Sequence, residues 1–324
     1  MELFLQKRFA THKRYSGEGS EALVVALNAL IAEASVESPG HAGIDTAILA
    51  MPHRGRLATL VVLNSYPMRN LLHKVAGNND LPVELNDRVD DIPTHIAVSN
   101  TAKYSTSTGG LTSTSRKVTL SMVHNPSHLE SQNAISMGKA RAKIDDSGSP
   151  DTRSVLNIQA HGDAAFCGQG AAYEALSLSR LPKFDIGGSI HIITNNQVGF
   201  TTSAEDGRSF DASSDIVKAF GIPVVRINAM DADTTPESLI RVCKFMIEYW
   251  KTFKKDILID MVGCRKHGHN EVDEPAFTQP HMYEVIRAMP SLASSYGERL
   301  LAEGKVTPDD ISAMLANYQK SNED

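Results

Sequence analysis

Residues 161–202 read HGDAAFCGQGAAYEALSLSRLPKFDIGGSIHIITNNQVGFTT, and this stretch decides how the rest of the chain is understood. Gly162-Asp163 follows one apolar run and Asn195-Asn196 follows a second. A buried strand leaving the core at each pair would set a carboxylate beside an amide, with one helix and one strand between them. Magnesium takes oxygen ligands in near-octahedral geometry and is commonly shared with substrate phosphates. An Asp carboxylate, an Asn amide oxygen, a backbone carbonyl and phosphate oxygens would fill most of that shell. Gly162 permits close approach of a ligand, and small Ala164 and Ala165 leave it space. A helix from about Gln169 would begin near the site and favour a phosphate.

Outward from this stretch, short apolar runs alternate with helical patterns. Strands are expected over 46–50, 118–123, 154–159, 189–194, 223–228 and 257–262. Helices are expected from Ser20 (its side chain serving as N-cap), from about Leu57, and over 129–143, 169–179, 215–220, 236–253, 280–303 and 308–319. Such alternation predicts an α/β fold: a mostly parallel, doubly wound sheet with helices on both faces. Ligands of such sheets bind beyond the carboxyl ends of the strands. Five of those ends carry polar clusters: His53-Arg54 with Arg56; Ser127-His128; His161 with Asp163; Asn195-Asn196; and Arg265 with His267 and His269. A parallel sheet would gather all five on one rim. A single histidine in such a place is more often structural, so the convergence carries the argument. Residues 76–116 break periodicity, and Ser/Thr/Gly-rich 100–116 reads as a mobile loop, either a solvated connection or a lid or partner surface. Residues 145–153 read as a second loop, tolerant of insertion.

The 324 residues, 41% apolar and 22% charged, suffice for a sizeable core. A net charge of -6 argues against a nucleic-acid partner. No run is long and apolar enough for a membrane span, and the first residues lack an apolar signal core. Cys167, Cys243 and Cys264 stand far apart without metal spacing and read as reduced thiols. Gly17-Glu18-Gly19-Ser20-Glu21-Ala22 matches a dinucleotide-binding glycine pattern but follows no strand. No Walker-type glycine-lysine loop and no H-E-x-x-H is present.

Gly162-Asp163 with Asn195-Asn196 at this spacing resembles the thiamine-diphosphate fingerprint. The fuller text, with MPHRGRL (51–57), NPSHLE (125–130), GKARAK (138–143) and RKHGHNEVDEP (265–275), resembles the decarboxylating first component of the 2-oxoglutarate dehydrogenase family over nearly the whole chain. KRYSGEGSEAL, FCGQG and LPKFDIGGS lean toward the 2-oxoadipate-preferring branch. The resemblance implies oxidative decarboxylation of a 2-oxo dicarboxylic acid, 2-oxoglutarate (the succinyl-transferring type) or 2-oxoadipate, with acyl transfer to a lipoyl-bearing acyltransferase component. It implies Mg²⁺ held by Asp163, Asn196 and the Val198 carbonyl, and thiamine diphosphate bound by Arg54, Ser127, Leu129, Asp163, Ala164, Ala165 and Asn196. It implies that His53 and His95 bind the 2-oxo acid and that His128 assists. The run SAEDGRSFDASSD after Thr202 departs from the Arg-Ser-Ser-x-Tyr-type run of relatives at Phe210 and Asp211.

By the same resemblance, residues 1–45 are an N-terminal helical segment, 46–275 the diphosphate and Mg²⁺ domain, and 276–324 helices leading to a pyrimidine-binding domain not encoded before Asp324. The expectation is then of one half of an active site, inactive alone and homodimeric when full-length. Its location would be the mitochondrial matrix in a eukaryote and the cytoplasm otherwise. The alternatives are a non-catalytic docking or regulatory subunit, or a chain acting in trans with a separate pyrimidine-domain chain. Structural readings also stand beside the site roles: Ser127-His128 as a helix cap, the 265–270 cluster as a structural network, and His267, His269 and Glu271 as a brace for a subunit contact.

Overall fold

A computed structural model describes residues 1–323 apart from 80, 86–87, 89, 105–115, 125–127, 149–150 and 234. The order is α1 (Glu2–Arg8), α2 (Ala22–Ser35), β1 (Thr46–Ala50), α3 (Arg56–Val62), α4 (Met68–Val75), β2 (Ser99–Tyr104), β3 (Arg116–Met122), α5 (Ser131–Ser147) and β4 (Val155–Gly162). Then come α6 (Asp163–Gly168), α7 (Gly170–Leu178), β5 (Ser189–Asn195), a small hairpin of β6 (Val198–Gly199) and β7 (Thr202–Ser203), α8 (Ala204–Gly207), β8 (Val224–Asn228), α9 (Thr235–Phe253) and β9 (Ile257–Val262). Helices α10 (Pro280–Ala288), α11 (Leu292–Ala302) and α12 (Pro308–Glu323) follow.

Seven strands form one sheet in the order β2-β3-β1-β4-β5-β9-β8. All pairs are parallel except β2 with β3. The central strands are buried on both sides because both faces are covered. In β1, Ala47 and Leu49 join the core shared with α2 and α9, whereas Ile48 and Ala50 join the core under α5 and α7. In β9, Ile257 and Ile259 face the α2 and α9 side, and Leu258 faces the opposite one. Fully buried Trp250 of α9 anchors this layer, its indole N–H donating to the Gly188 carbonyl at 3.2 Å.

From β1 the chain crosses to β3 on one side, and from β4 to β5 on the other. The crevice between the ends of β1 and β4 is therefore a topological switch point. Register sets the rim: Ala50 pairs with Gln159, Gly162 with Thr194, and Asn195 with Val262. Residues 10–20 lie across this rim. Gly55 N–H donates to the Tyr15 carbonyl (2.9 Å), Cys264 N–H to the Gly19 carbonyl (3.0 Å), and the Glu271 carboxylate accepts from the N–H groups of Arg14 and Ser16.

Several expectations need correction. Helix α2 starts at Ala22 without a side-chain cap, because the Ser20 hydroxyl is turned to the Cys264 carbonyl at 3.4 Å. The segment 100–116 is not one loop. Residues 99–104 form the antiparallel edge strand, and Arg116 opens β3; residues 105–115 lie outside the described residues. This strand is polar because one face meets solvent, and it is joined by cross-strand hydroxyl pairs, Ser99 with Ser121 and Thr101 with Thr119. The loop expected from 145 begins later, since α5 runs to Ser147 and ends on left-handed Gly148. The helix expected over 280–303 is two helices, interrupted at Met289-Pro290-Ser291.

Gly263 permits a close approach in this arrangement: a Cβ there would stand 2.6 Å from the Gly19 carbonyl oxygen. Gly263→Ala should therefore destabilise the chain by about 1–3 kcal/mol in urea unfolding. It should also speed proteolysis within residues 10–20, which a purely local effect at the end of β9 would leave unchanged.

Candidate active site

Asp163 is the first residue of α6, a short helix that precedes the one expected from about Gln169, which begins at Gly170 with Gln169 as its N-cap. Its carboxylate is buried, and one oxygen accepts the Asn196 N–H at 3.3 Å. Burial pushes its pKa up to about 6, although the Arg208 guanidinium, 3.6 Å from the other oxygen, and backbone N–H donors at Asn196, Asp163 and Ala164 act against that rise. The two asparagines divide their work. Asn195 is anchored, donating to the Asp260 carboxylate at 3.0 Å and accepting from the Gln197 N–H. Asn196 reaches the rim and its side-chain oxygen accepts the Val198 N–H at 3.2 Å. Gln197 between them adopts φ 63°, the left-handed backbone that brings Val198 round beside Asn196.

A cleft of about 90 Å³ gathers His53, Arg54, Leu129, Gly162, Asp163, Ala164, Ala165, Asn196 and Val198, together with Phe200, Arg265 and His269. A Cβ on Gly162 would meet nothing within 4 Å, so the glycine leaves this side of the cleft open. Arg54 donates to the Ser16 and His269 carbonyls. Burial and the neighbouring Arg265 lower its pKa to about 10, so it remains charged. His53 falls to about 3 through burial and then the Arg54, His269 and His95 charges, and His269 falls to about 4 through burial, Arg54 and Arg265. Both imidazoles are neutral at neutral pH. Tyr15 packs on His53 with ring centroids 4.1 Å apart, and His269 meets His53 edge-on at 5.4 Å.

Other candidates fall elsewhere. His95 sits in a tight turn, its Nδ1 2.8 Å from the Asp91 carboxylate; it does not line the cleft, although it lies near enough to affect His53. Ser127 lies outside the described residues. His128 is exposed, and its carbonyl accepts the N–H and hydroxyl of Ser131 at the start of α5. His161 belongs beneath the rim: its ring nitrogens meet the Glu130 carboxylate (2.9 Å) and His191 (3.1 Å), and its ring packs on Phe166.

The 265–271 cluster divides in the same way. Buried Arg265 donates to the carbonyls of His267 and Phe200 and lines the cleft with His269, whereas His267 meets the Glu18 carboxylate at 3.0 Å. The partners of His267 and Glu271 lie within this chain, in residues 10–20. Tyr15, Phe200 and Arg208 were not singled out as site residues. Tyr15 and Phe200 owe their places to left-handed backbones (φ 48° and 55°), and Arg208 to a hairpin return, none of which leaves a sequence pattern.

Among the described residues, no three His, Cys, Asp or Glu side chains converge on a metal site. A cation here would rely on one carboxylate with amide and carbonyl oxygens, a hard donor set suited to magnesium. With Arg54 alongside, the rim can hold a divalent cation and an anionic phosphate together. No helix of the described residues is long and apolar enough to cross a membrane.

The raised pKa of Asp163 has a stability consequence. Between the ordinary value of 3.8 and about 6 the folded chain binds the extra proton, so ligand-free stability falls as pH rises through that window. Asp163→Asn should accordingly be more stable than wild type at pH 8, by roughly 2–3 kcal/mol, with the difference vanishing near pH 4. Urea titrations at both pH values check this. NMR of labelled histidine should show His53 neutral from pH 8 down to pH 5.

A family model described as the dehydrogenase E1 component matches residues 9–324. The chain is 40% identical over 308 residues to a Dictyostelium discoideum protein named probable 2-oxoadipate dehydrogenase complex component E1 homolog, covering 95% of this chain and 32% of that protein. It is 37% identical over 324 residues to the 2-oxoadipate dehydrogenase complex component E1 of Homo sapiens, covering 97% and 33%. It is 37% identical over 320 residues to a Rattus norvegicus protein named 2-oxoglutarate dehydrogenase-like, mitochondrial, covering 98% and 30%. The chain thus spans about a third of the length of the curated relatives it matches.

Proposed function

The chain belongs to the dehydrogenase E1 component family, and from that premise we propose that it forms the diphosphate- and cation-binding wall of a thiamine-diphosphate-dependent decarboxylase of 2-oxo dicarboxylic acids. The observation that carries the reading is the buried Asp163 carboxylate against Asn196, at the switch point and beside Arg54. Asp163, Asn196 and the Val198 carbonyl hold Mg²⁺, and the Arg54 fork holds the diphosphate. Leu129, Ala164 and Ala165 form the adjoining wall, with Ser127 as a further contact. Thiamine diphosphate, when bound, supplies a carbon nucleophile and a sink for the electrons released with carbon dioxide.

The chain's own part is position, charge and exclusion of water. Neutral His53 donates a hydrogen bond to the 2-oxo acid without adding a cation to the pocket, and Arg54 keeps its charge for the phosphate. His95 and His128 act from the margin. The names of the 2-oxoadipate relatives favour 2-oxoadipate, from which a glutaryl group would pass to a lipoyl group on an acyltransferase partner; with 2-oxoglutarate the group would be succinyl. The opposite wall of the site is a pyrimidine-binding domain, in a protein that works as a dimer, in the mitochondrial matrix if the source is eukaryotic.

Calorimetry with thiamine diphosphate and Mg²⁺ tests the core of this. Wild type should bind, and Asp163→Ala and Arg54→Ala should each weaken binding at least tenfold, about 1.4 kcal/mol or more. Equal affinity in wild type and Asp163→Ala would sink the assignment. In a full-length protein containing this chain, decarboxylation should be faster with 2-oxoadipate than with 2-oxoglutarate. His53→Ala should lower kcat/KM by about a hundredfold. A preference for 2-oxoglutarate would reverse the substrate assignment.

A further inference from the structure

Arg56 takes no part in the site as described, yet it is a charge buried directly beneath it, with a fully buried side chain. Its Nη1 donates to the Met51 carbonyl at 3.2 Å, and its Nη2 donates to the carbonyls of Ile96 (2.7 Å) and Val123 (2.5 Å). Those acceptors belong to three separate segments. Met51 follows β1 and leads into His53 and Arg54. Ile96 adjoins His95. Val123 follows the last residue of β3, at the start of the segment that leads to His128 and Leu129. The Arg56 N–H also donates to the His53 carbonyl at 3.1 Å, so the 51–56 turn is closed by both the backbone and the side chain of one residue.

Fold stability alone is a poor reason for this cation. Among the described residues its Nε is buried without a hydrogen-bond partner, and burial lowers its pKa to about 9 with no carboxylate acting to raise it. A buried cation met only by carbonyl dipoles bears a large desolvation cost, and an apolar side chain of similar volume commonly serves a core at least as well. What an apolar side chain cannot do is hold three carbonyls from three segments at once. The rigid, planar guanidinium has five donors in a fixed fork for that purpose; a lysine ammonium has three on a flexible stem.

We propose that Arg56 is a positioning residue that locks the end of β1, the 93–96 turn and the end of β3 in one register, so that Arg54, His53 and Leu129 address the same ligand with His95 at its margin. This rests on the cofactor-binding reading given above, and the measurements separate the two.

The experiment compares wild type, Arg56→Met and Arg56→Lys in the 324-residue chain. It records the ligand-free Tm, amide hydrogen exchange at residues 96–98 and 122–124, and calorimetric affinity for thiamine diphosphate with Mg²⁺. Arg56→Met should melt within about 5 °C of wild type, a small change for a chain of this size. Its exchange at those amides should quicken at least tenfold, and its affinity should fall at least tenfold. Arg56→Lys should lie between the two. A Met variant that melts earlier while keeping wild-type affinity and wild-type relative exchange overturns the proposal, because the residue would then be structural only. Should Arg56→Met fail to fold, Arg56→Lys decides, and wild-type exchange and affinity in that folded variant overturn it. If wild type itself fails to bind the cofactor, the functional reading fails, and the exchange comparison alone decides whether Arg56 sets the register.

Discussion

The Asp163 carboxylate is held out of water against the Asn196 N–H, and what the rim can do depends on that contact. It joins the ends of β4 and β5, which pair only as far as Gly162 and Thr194. Beyond that pairing the chain diverges, into α6 on one side and the β6–β7 hairpin on the other. Without the contact nothing in the strand ladder would hold the carboxylate beside Val198. The low dielectric that makes the buried carboxylate costly also strengthens its attraction for any cation that enters. Arg208 at 3.6 Å offsets only part of the cost, since the pKa still rises.

Around this contact, charged and polar groups sort into two depths. The deeper layer holds His161, His191, Glu130, Arg56 and Asp260, each satisfied chiefly by other buried groups or by backbone. The shallower layer holds His53, Arg54, Asp163, Asn196 and His269, which line the cleft. Residues 10–20 unite the two layers. They carry Tyr15 onto the imidazoles, present the Ser16 carbonyl to Arg54, and are themselves fixed by Glu271 and His267. The start of the chain therefore backs the residues that line the cleft.

The parts of this arrangement legible in the sequence are those governed by period and burial. The runs 46–50 and 257–262 lie in strands buried on both faces, where an unbroken apolar stretch has few other uses. The convergence of strand ends then follows from parallel topology, and the paired motifs at 162–163 and 195–196 point to a cation and a phosphate. Three things were hidden. The edge strand 99–104 is polar, because only one neighbour and one face constrain it. The direction of a side chain at a strand end depends on register to within one residue, so His161 and His269 look alike in sequence although one lies beneath the rim and the other in the cleft. Contacts made through left-handed residues such as Tyr15 depend on a local backbone choice that a tyrosine rarely makes.

The strain at Asp163 also bears on how variants of this protein would be selected. On the proposed cation-binding role, a carboxylate that is unfavourable in the empty fold and favourable with a bound cation would make folding and ligand supply one equilibrium. A screen for thermal resistance run without ligand would therefore enrich changes that neutralise Asp163, and each apparent gain would be a loss of the site. The same screen run with cation and cofactor present would rank those changes last. Natural sequences face the second condition only while the ligand is abundant, so scarcity alone could shift selection from keeping the carboxylate to discarding it.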